Sequence, residues 1–460
     1  MARLIRAKDV SACEVVAAHL QQIERLNPTY NAIVTLVPEQ AMDRAKAADA
    51  ALARGDAVGP LHGLPIAHKD LQLTKGIRTT FGSPIFERFI PDEDSLLVER
   101  LRAAGAIAIG KTNTPEFGAG SQTFNPVFGA TLNPFDTTKT CGGSSGGAAV
   151  ALATCMLPIA DGSDMGGSLR NPASFCGVVG MRPSPGRIPT WPSVLGWSTL
   201  SVEGPMARSV ADAALLLSAM AGPDPRSPIA LSDPGSRFAA PLERDVSDVR
   251  IAWCTDPDGL PVDQRVRAVF DAQRTVFESI GCRVAHAEPD FRDADGIFKT
   301  LRAYAFVTGV GAVIGDQRGL VKDTILWELE RGERLTAEEL GRAETRRTAL
   351  YHRMRIFMEQ YEFFVLPTVQ VPPFDVTQPF VTEIDGVRME SYIDWMKSCY
   401  YISITGHPAI SVPAGFTADG LPIGIQIVGR HRDDRGVLQM ARAYEEARGP
   451  LHRIAPVRRN

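Results

Sequence analysis

Stretches with helical spacing alternate with short apolar runs along this chain, and that alternation restricts the fold more than any other feature. Helical patterns near 209–221, 263–280, 336–360 and 434–447 are interleaved with strand-like runs near 250–253, 282–287, 363–366, 408–412 and 423–428. Upstream, Ser11 and Glu14 have capping-box spacing, and Val15, Val16, His19, Leu20 and Ile23 follow a helical period. Asn27-Pro28 is expected to end that helix. An alanine-rich helix is expected over 38–52, a buried strand in "GLPIAHKD" (63–70), and a helix over 95–104 leading into the strand "AIAIG". "GAAVALATCMLPIA" (147–160) predicts a small-residue helix followed by a strand, and the polar, Pro-rich 225–248 segment a surface linker. The pattern fits one α/β domain with a mainly parallel or mixed sheet flanked by helices.

Composition narrows the function. A hydrophobic content of 44% in 460 residues supports a sizeable core. A net charge of -4 and a pI near 6.1 give no basic footprint for nucleic acid or an anionic membrane. The seven cysteines (13, 141, 155, 176, 254, 282 and 399) form no C-x-x-C pair, which suggests neither a disulfide framework nor a zinc ribbon. No apolar run is long enough for a transmembrane helix, and "MARLIRAKDV" lacks a signal-peptide core. A soluble, cytoplasmic protein without a metal or other cofactor is expected.

"GAIAIGKT" (Gly105–Thr112) satisfies the phosphate-loop pattern letter for letter. A phosphate loop, however, needs a strand before its first glycine and a helix beginning at the Lys-Thr pair. Here a helix precedes Gly105, the letters between the glycines form a strand, and Asn113-Thr114-Pro115 makes a turn. Nucleotide binding is the outside alternative, and Lys111 is expected to be a strand-end lysine.

"ADGSDMGGSLRNP" (160–172) places Ser168 after two glycines, where backbone N–H groups can converge on a developing oxyanion. No histidine lies within fifty residues of it to take its proton. Lys69, at the end of an apolar strand, is the alternative base, because desolvation favours the neutral amine. Ser-Lys pairs are an accepted variant of the serine triad. A second hydroxyl can relay the proton, and "CGGSSGG" (141–147) offers Ser144 or Ser145; spacing does not choose between them.

The run "GGSSGGAAVALATCMLPIADGSDMGGSLRNPA" (142–173) resembles the amidase signature family. The likeness continues in "GPLHGLPIAHKD" (59–70), "FNPVFGATLNPFD" (124–136), "CGVVGMRPSPGRIP" (176–189), "EGPMARSVADAA" (203–214) and "GHPAISVPAGF…GLPIGIQIVGR" (406–430). It implies a single α/β/α domain over 1–460 with a large central mixed β-sheet flanked by helices. The signature core would cover about 60–220, a divergent substrate-facing segment 225–400, and a return to the core 400–447. It also implies a Ser–cis-Ser–Lys triad of Ser168 as nucleophile, Ser144 as relay and Lys69 as base. Ser144 is preferred because it precedes the nucleophile by the family's 24 residues. The oxyanion donors map to the N–H groups of Met165, Gly166, Gly167 and Ser168. Asp164 and Arg170 look like a structural ion pair that stiffens the loop.

Two positions depart from the family pattern. Cys141 stands where many members carry proline, close enough to the site for thiol reagents to inhibit. His68 stands where a small apolar residue is usual, and is expected to point away from Lys69. The expected substrate is an aryl, alkyl or other hydrophobic amide, with Gly118, Trp191, Trp197 and Trp395 as pocket residues. The rival within the family is the A subunit of a glutamyl-tRNA amidotransferase, which passes ammonia to partner subunits. The family resemblance also suggests a homodimer.

Overall fold

Strand residues alternate between the two faces of a sheet, and this chain supplies apolar side chains to both. The computed structural model describes residues 1–451, so the last nine residues of the expected domain lie outside the described part. Eleven strands form its two larger sheets. They are β1 (Ile33–Leu36), β2 (Pro65–Lys69), β3 (Ile107–Thr112), β4 (Ile159–Asp164), β5 (Val179–Arg182), β6 (Val202–Ala207), β7 (Arg250–Trp253), β8 (Arg283–His286), β9 (Phe363–Pro367), β10 (Ala409–Phe416) and β11 (Pro422–Gly429).

The eight-stranded sheet runs β8-β7-β9-β11-β10-β5-β6-β4. β7 pairs in parallel with β8 and with β9, while every other pairing in this sheet is antiparallel, so the sheet is mixed. Phe363 and Val365 of β9 enter a core with helices Val210–Met220 and Asp434–Arg448. Phe364 and Leu366 of the same strand enter a second core with helices Ala294–Thr308 and Ala337–Gln360. One strand thus feeds two apolar layers, as an α/β/α arrangement requires. The smaller sheet, β1-β3-β2, sits with helices Ala12–Tyr30, Pro38–Arg54 and Gly146–Ala153 around a third core.

Local signals hold in most places. Ser11 and Glu14 close the capping box of the first long helix. That helix nevertheless runs through Pro28 to Tyr30, where Asn31 ends it in the left-handed conformation. Asn27 supports the end, its side-chain oxygen accepting the N–H groups of Ala32 and Ile33. The 263–280 pattern splits into Gln264–Asp271 and Arg274–Ser279. The Gly105–Thr112 match is a strand: helix Leu96–Ala103 precedes it, and β3 runs through Lys111 and Thr112. Lys111 is buried inside β3, not merely at its end, and donates to the Gln72 carbonyl and the hydroxyls of Thr74 and Thr79, which holds the 72–79 loop. Phosphate binding by this segment has no structural basis.

Helices Ala294–Thr308 and Val310–Ile314 are together long and apolar enough to cross a membrane. Ile297, Phe298 and Leu301 are instead spent on the core, and Lys299 and Arg302 pair with Asp394 and Glu328 at 2.7 Å each.

The tryptophans separate by environment. Trp395 is 1% exposed, stacked on Phe175 and edge-on to Phe374, in the second core together with Phe298 and Met396. Trp197 is 79% exposed, and Trp191 lies under the Arg226 guanidinium. Trp395→Ala should destabilise the fold by about 3–5 kcal/mol, whereas Trp197→Ala should change stability by roughly 0.5 kcal/mol or less. Chemical denaturation of the two variants checks this.

Candidate active site

β2 ends on Lys69, and two other segments, the 144–145 loop and β4, meet its side chain. Its Nζ donates to Ser144 Oγ at 2.7 Å, Ser145 Oγ at 3.0 Å and Ser163 Oγ at 3.0 Å. The side chain is 0% exposed. Burial pulls the ammonium's pKa below its ordinary value of 10.5, against the opposing charges of Glu203, Asp164 and Asp161. The result is a lysine that gives up its proton more readily than one in water.

The Ser144–Ser145 pair is set by a loop that its neighbours leave little room to vary. The Gly143–Ser144 peptide is cis, and the carbonyls of Gly142 and Gly143 accept from Thr123 and Ser121, both at 2.8 Å. Ser145 then takes the N-cap position of helix Gly146–Ala153, its hydroxyl turned to Lys69 instead of to the helix N–H groups. Its N–H donates to the Ser168 carbonyl at 3.2 Å, which brings the half-buried Ser168 against the serine pair. Gly118 joins them, since a Cβ there would lie 3.5 Å from Ser144 Oγ.

The 164–168 turn is held from beneath. Asp164 accepts two bonds from Arg170, at 2.8 and 3.0 Å, and Arg182 binds both its carboxylate and its carbonyl. Burial disfavours the Asp164 charge, but the two guanidiniums outweigh it and hold the carboxyl well below the usual range. Arg170 also reaches the Cys399 carbonyl and Ser403 Oγ. Gly167 has φ +123°, and a Cβ there would lie 2.7 Å from both Asn171 Nδ2 and Cys399 Cβ, so only glycine fits.

The Gly167 N–H donates to Asp164 Oδ1 at 2.9 Å, which corrects its expected place among the oxyanion donors. The N–H groups of Met165, Gly166 and Ser168 have no acceptor among the described residues. Cys141 is fully buried, and burial pushes its thiol up to about 12, so easy attack by thiol reagents is not expected. His68 faces Asp161 Oδ2 at 3.4 Å without hydrogen-bond geometry. Among the described residues, no group of three or more His, Cys, Asp or Glu side chains is placed to hold a metal ion.

The walls around the turn are apolar. A Cβ on Gly166 would meet Phe298 and Met396, and Met165 packs into a cluster with Phe306, Phe117 and Ile85. Four residues escaped sequence reasoning: Ser163, Arg182, Glu203 and Phe298. Strand parity marks Ser163 as sharing a face with Asp161; the other three depend on pairings across the fold.

The amidase family model matches residues 14–438. An acylamidase of Rhodococcus erythropolis is 36% identical over 97% of this chain and 94% of its own. The A subunit of a glutamyl-tRNA(Gln) amidotransferase from Geobacillus stearothermophilus is 35% identical over 99% of this chain and 97% of its own. Among solved structures, a bacterial aryl acylamidase of the amidase signature family superposes with a TM-score of 0.90 at 27% identity, covering 97% of this chain and 95% of the other.

Asp164→Ala would leave two buried guanidiniums without their counter-ion and should cost about 3–5 kcal/mol of stability. Arg170→Ala should likewise affect folding before chemistry. Urea denaturation of both variants is the check.

Proposed function

The chain belongs to the amidase family of amide-bond hydrolases, and we propose that it is a stand-alone hydrolase of hydrophobic aryl or alkyl amides that works through an acyl-enzyme on Ser168. The observation that carries the reading is the buried contact between Lys69 Nζ and Ser144 Oγ, beside Ser168. With its amine free, Lys69 accepts the Ser144 proton while Ser144 takes the proton from Ser168 Oγ. Ser168 then bonds to the amide carbon. The N–H groups of Met165, Gly166 and Ser168 stabilise the oxyanion. The proton returns by the same route to the departing nitrogen, and water repeats the sequence to release the acid.

The apolar side chains of Phe298, Met396, Phe306 and Phe117 around Met165 and Gly166 support a hydrophobic substrate. The similarity to an acylamidase and to an aryl acylamidase structure points the same way. A second reading, glutamine hydrolysis as an amidotransferase A subunit, is favoured by the 35% identity to such a subunit. The isolated chain separates them: it should hydrolyse an acyl p-nitroanilide without partners and leave glutamine untouched. The reverse preference would favour the subunit reading.

Ser144→Ala should lower kcat by about a hundredfold or more, the contribution of a lost proton relay. Ser145→Ala, which removes one hydrogen bond to Lys69, should cost roughly tenfold or less. Steady-state anilide hydrolysis checks both. Because burial lowers the Lys69 pKa, the free amine forms as pH rises through that lowered value. Activity should therefore climb with pH and level off below the ordinary lysine value of 10.5, as a pH profile of kcat/KM will show.

A further inference from the structure

β6 runs antiparallel to β4 with Glu203 directly opposite Ser163, so the two side chains leave the same face of the sheet. Ser163 Oγ is one of the three hydroxyls that accept from Lys69 Nζ. Glu203 therefore stands one side chain from the lysine. Its Oε2 is buried and has no hydrogen-bond partner among the described residues. The side chain also lines a cavity of about 200 Å³ with Met165, Thr190, Ser198 and Ser201. The same residue thus borders both the lysine and the turn that carries Ser168.

Except for Asp161, the other charges around Lys69 are committed elsewhere. On β4, Asp164 is held between Arg170 and Arg182. Asp161 accepts the Lys69 main-chain N–H at 3.2 Å through Oδ1, while its Oδ2 faces His68 and, like Glu203 Oε2, has no hydrogen-bond partner among the described residues. Next to Lys69, Asp70 accepts from the Thr80 hydroxyl and N–H. From β3, Lys111 is bound by Gln72, Thr74 and Thr79. Of the carboxylates that favour the ammonium form of Lys69, Glu203 acts most strongly, ahead of Asp164 and Asp161.

We propose that Glu203 is the counter-charge of Lys69, a positioning residue that, with Ser163 between them, stabilises the ammonium formed when Lys69 has taken up the Ser168 proton. The inference rests on the reading of Lys69 as the base. Burial pushes the Glu203 carboxyl up to about 7, against the pull of Gln72 and Lys69, so the counter-charge is in place above that value. There the catalytic proton passes from Ser168 through Ser144 to Lys69 and returns to the leaving nitrogen without passing through Glu203. Its part is that of the carboxylate behind the imidazole in a Ser-His-Asp triad, which stabilises the cation as it appears.

The sign of the effect follows. A negative charge beside Lys69 favours the ammonium, so removing it favours the free amine and weakens the base. The test is the rate at which a fluorophosphonate labels Ser168, followed against pH in the full-length chain. Glu203→Gln should move the acidic limb down by about half a pH unit or more and lower the plateau rate roughly threefold or more. Glu203→Asp should restore the limb. Ser163→Ala keeps the carboxylate and should lower the plateau with a smaller movement of the limb. Thermal melts identify which variants fold. If Glu203→Gln does not, an unmoved plateau in folded Ser163→Ala overturns the proposal.

A folded Glu203→Gln with an unmoved limb also overturns it, because a purely structural role would lower the rate without shifting the profile. Lys69→Ala separates the two readings. If it labels slowly while the Glu203→Gln limb stays put, the counter-charge fails and the base stands. If it labels as fast as wild type, both fail.

Discussion

Asp164 lies buried at the end of β4 with two guanidiniums on its carboxylate, and the geometry around Ser168 depends on that arrangement. Arg170 carries the tie onward to the Cys399 carbonyl and Ser403, and Arg182 carries it to the Leu200 carbonyl. The turn bearing Ser168 is thereby fixed to helix Lys397–Thr405 and to β5. A buried ion cluster of this kind is a poor source of net stability, because desolvation of three charged groups offsets their attraction. It is a good way to specify one conformation. The Asp164 carboxylate also takes up the Gly167 N–H, so the turn presents fewer free donors than its glycines suggest.

Lys69 shows the complementary use of burial. Its three hydroxyl partners hydrogen-bond the amine without matching a charge to it. Desolvation therefore dominates and the ammonium is weakened. Lys111, equally buried on the neighbouring strand, holds a loop through a carbonyl and two threonine hydroxyls. Two lysines in similar surroundings thus differ in what lies at their tips, and the serines at the tip of Lys69 give it chemistry to perform.

Much of this was legible in the sequence, and the failures have physical causes. Alternating helical and strand patterns gave the mixed sheet and its flanking helices, because burial on both faces leaves its period in the chain. The glycine-serine runs marked 142–147 and 164–168, since only small residues fit where segments approach so closely. Pro28 was misread as a helix end because a single proline near the last turn removes only one N–H and the helix continues to Tyr30, beyond which Asn27 takes up the N–H groups of Ala32 and Ile33. Arg182 and Glu203 escaped because their roles arise from strand register and tertiary contact, which local spacing does not carry.

The central claim is that a buried lysine activates Ser168. Peptide mapping by mass spectrometry after fluorophosphonate treatment of wild type and Lys69→Ala, each shown to be folded, tests it most directly. The account predicts one adduct, on Ser168, formed rapidly in wild type and far more slowly without Lys69. An adduct on another residue, or labelling of Ser168 at the same rate in both proteins, would contradict it.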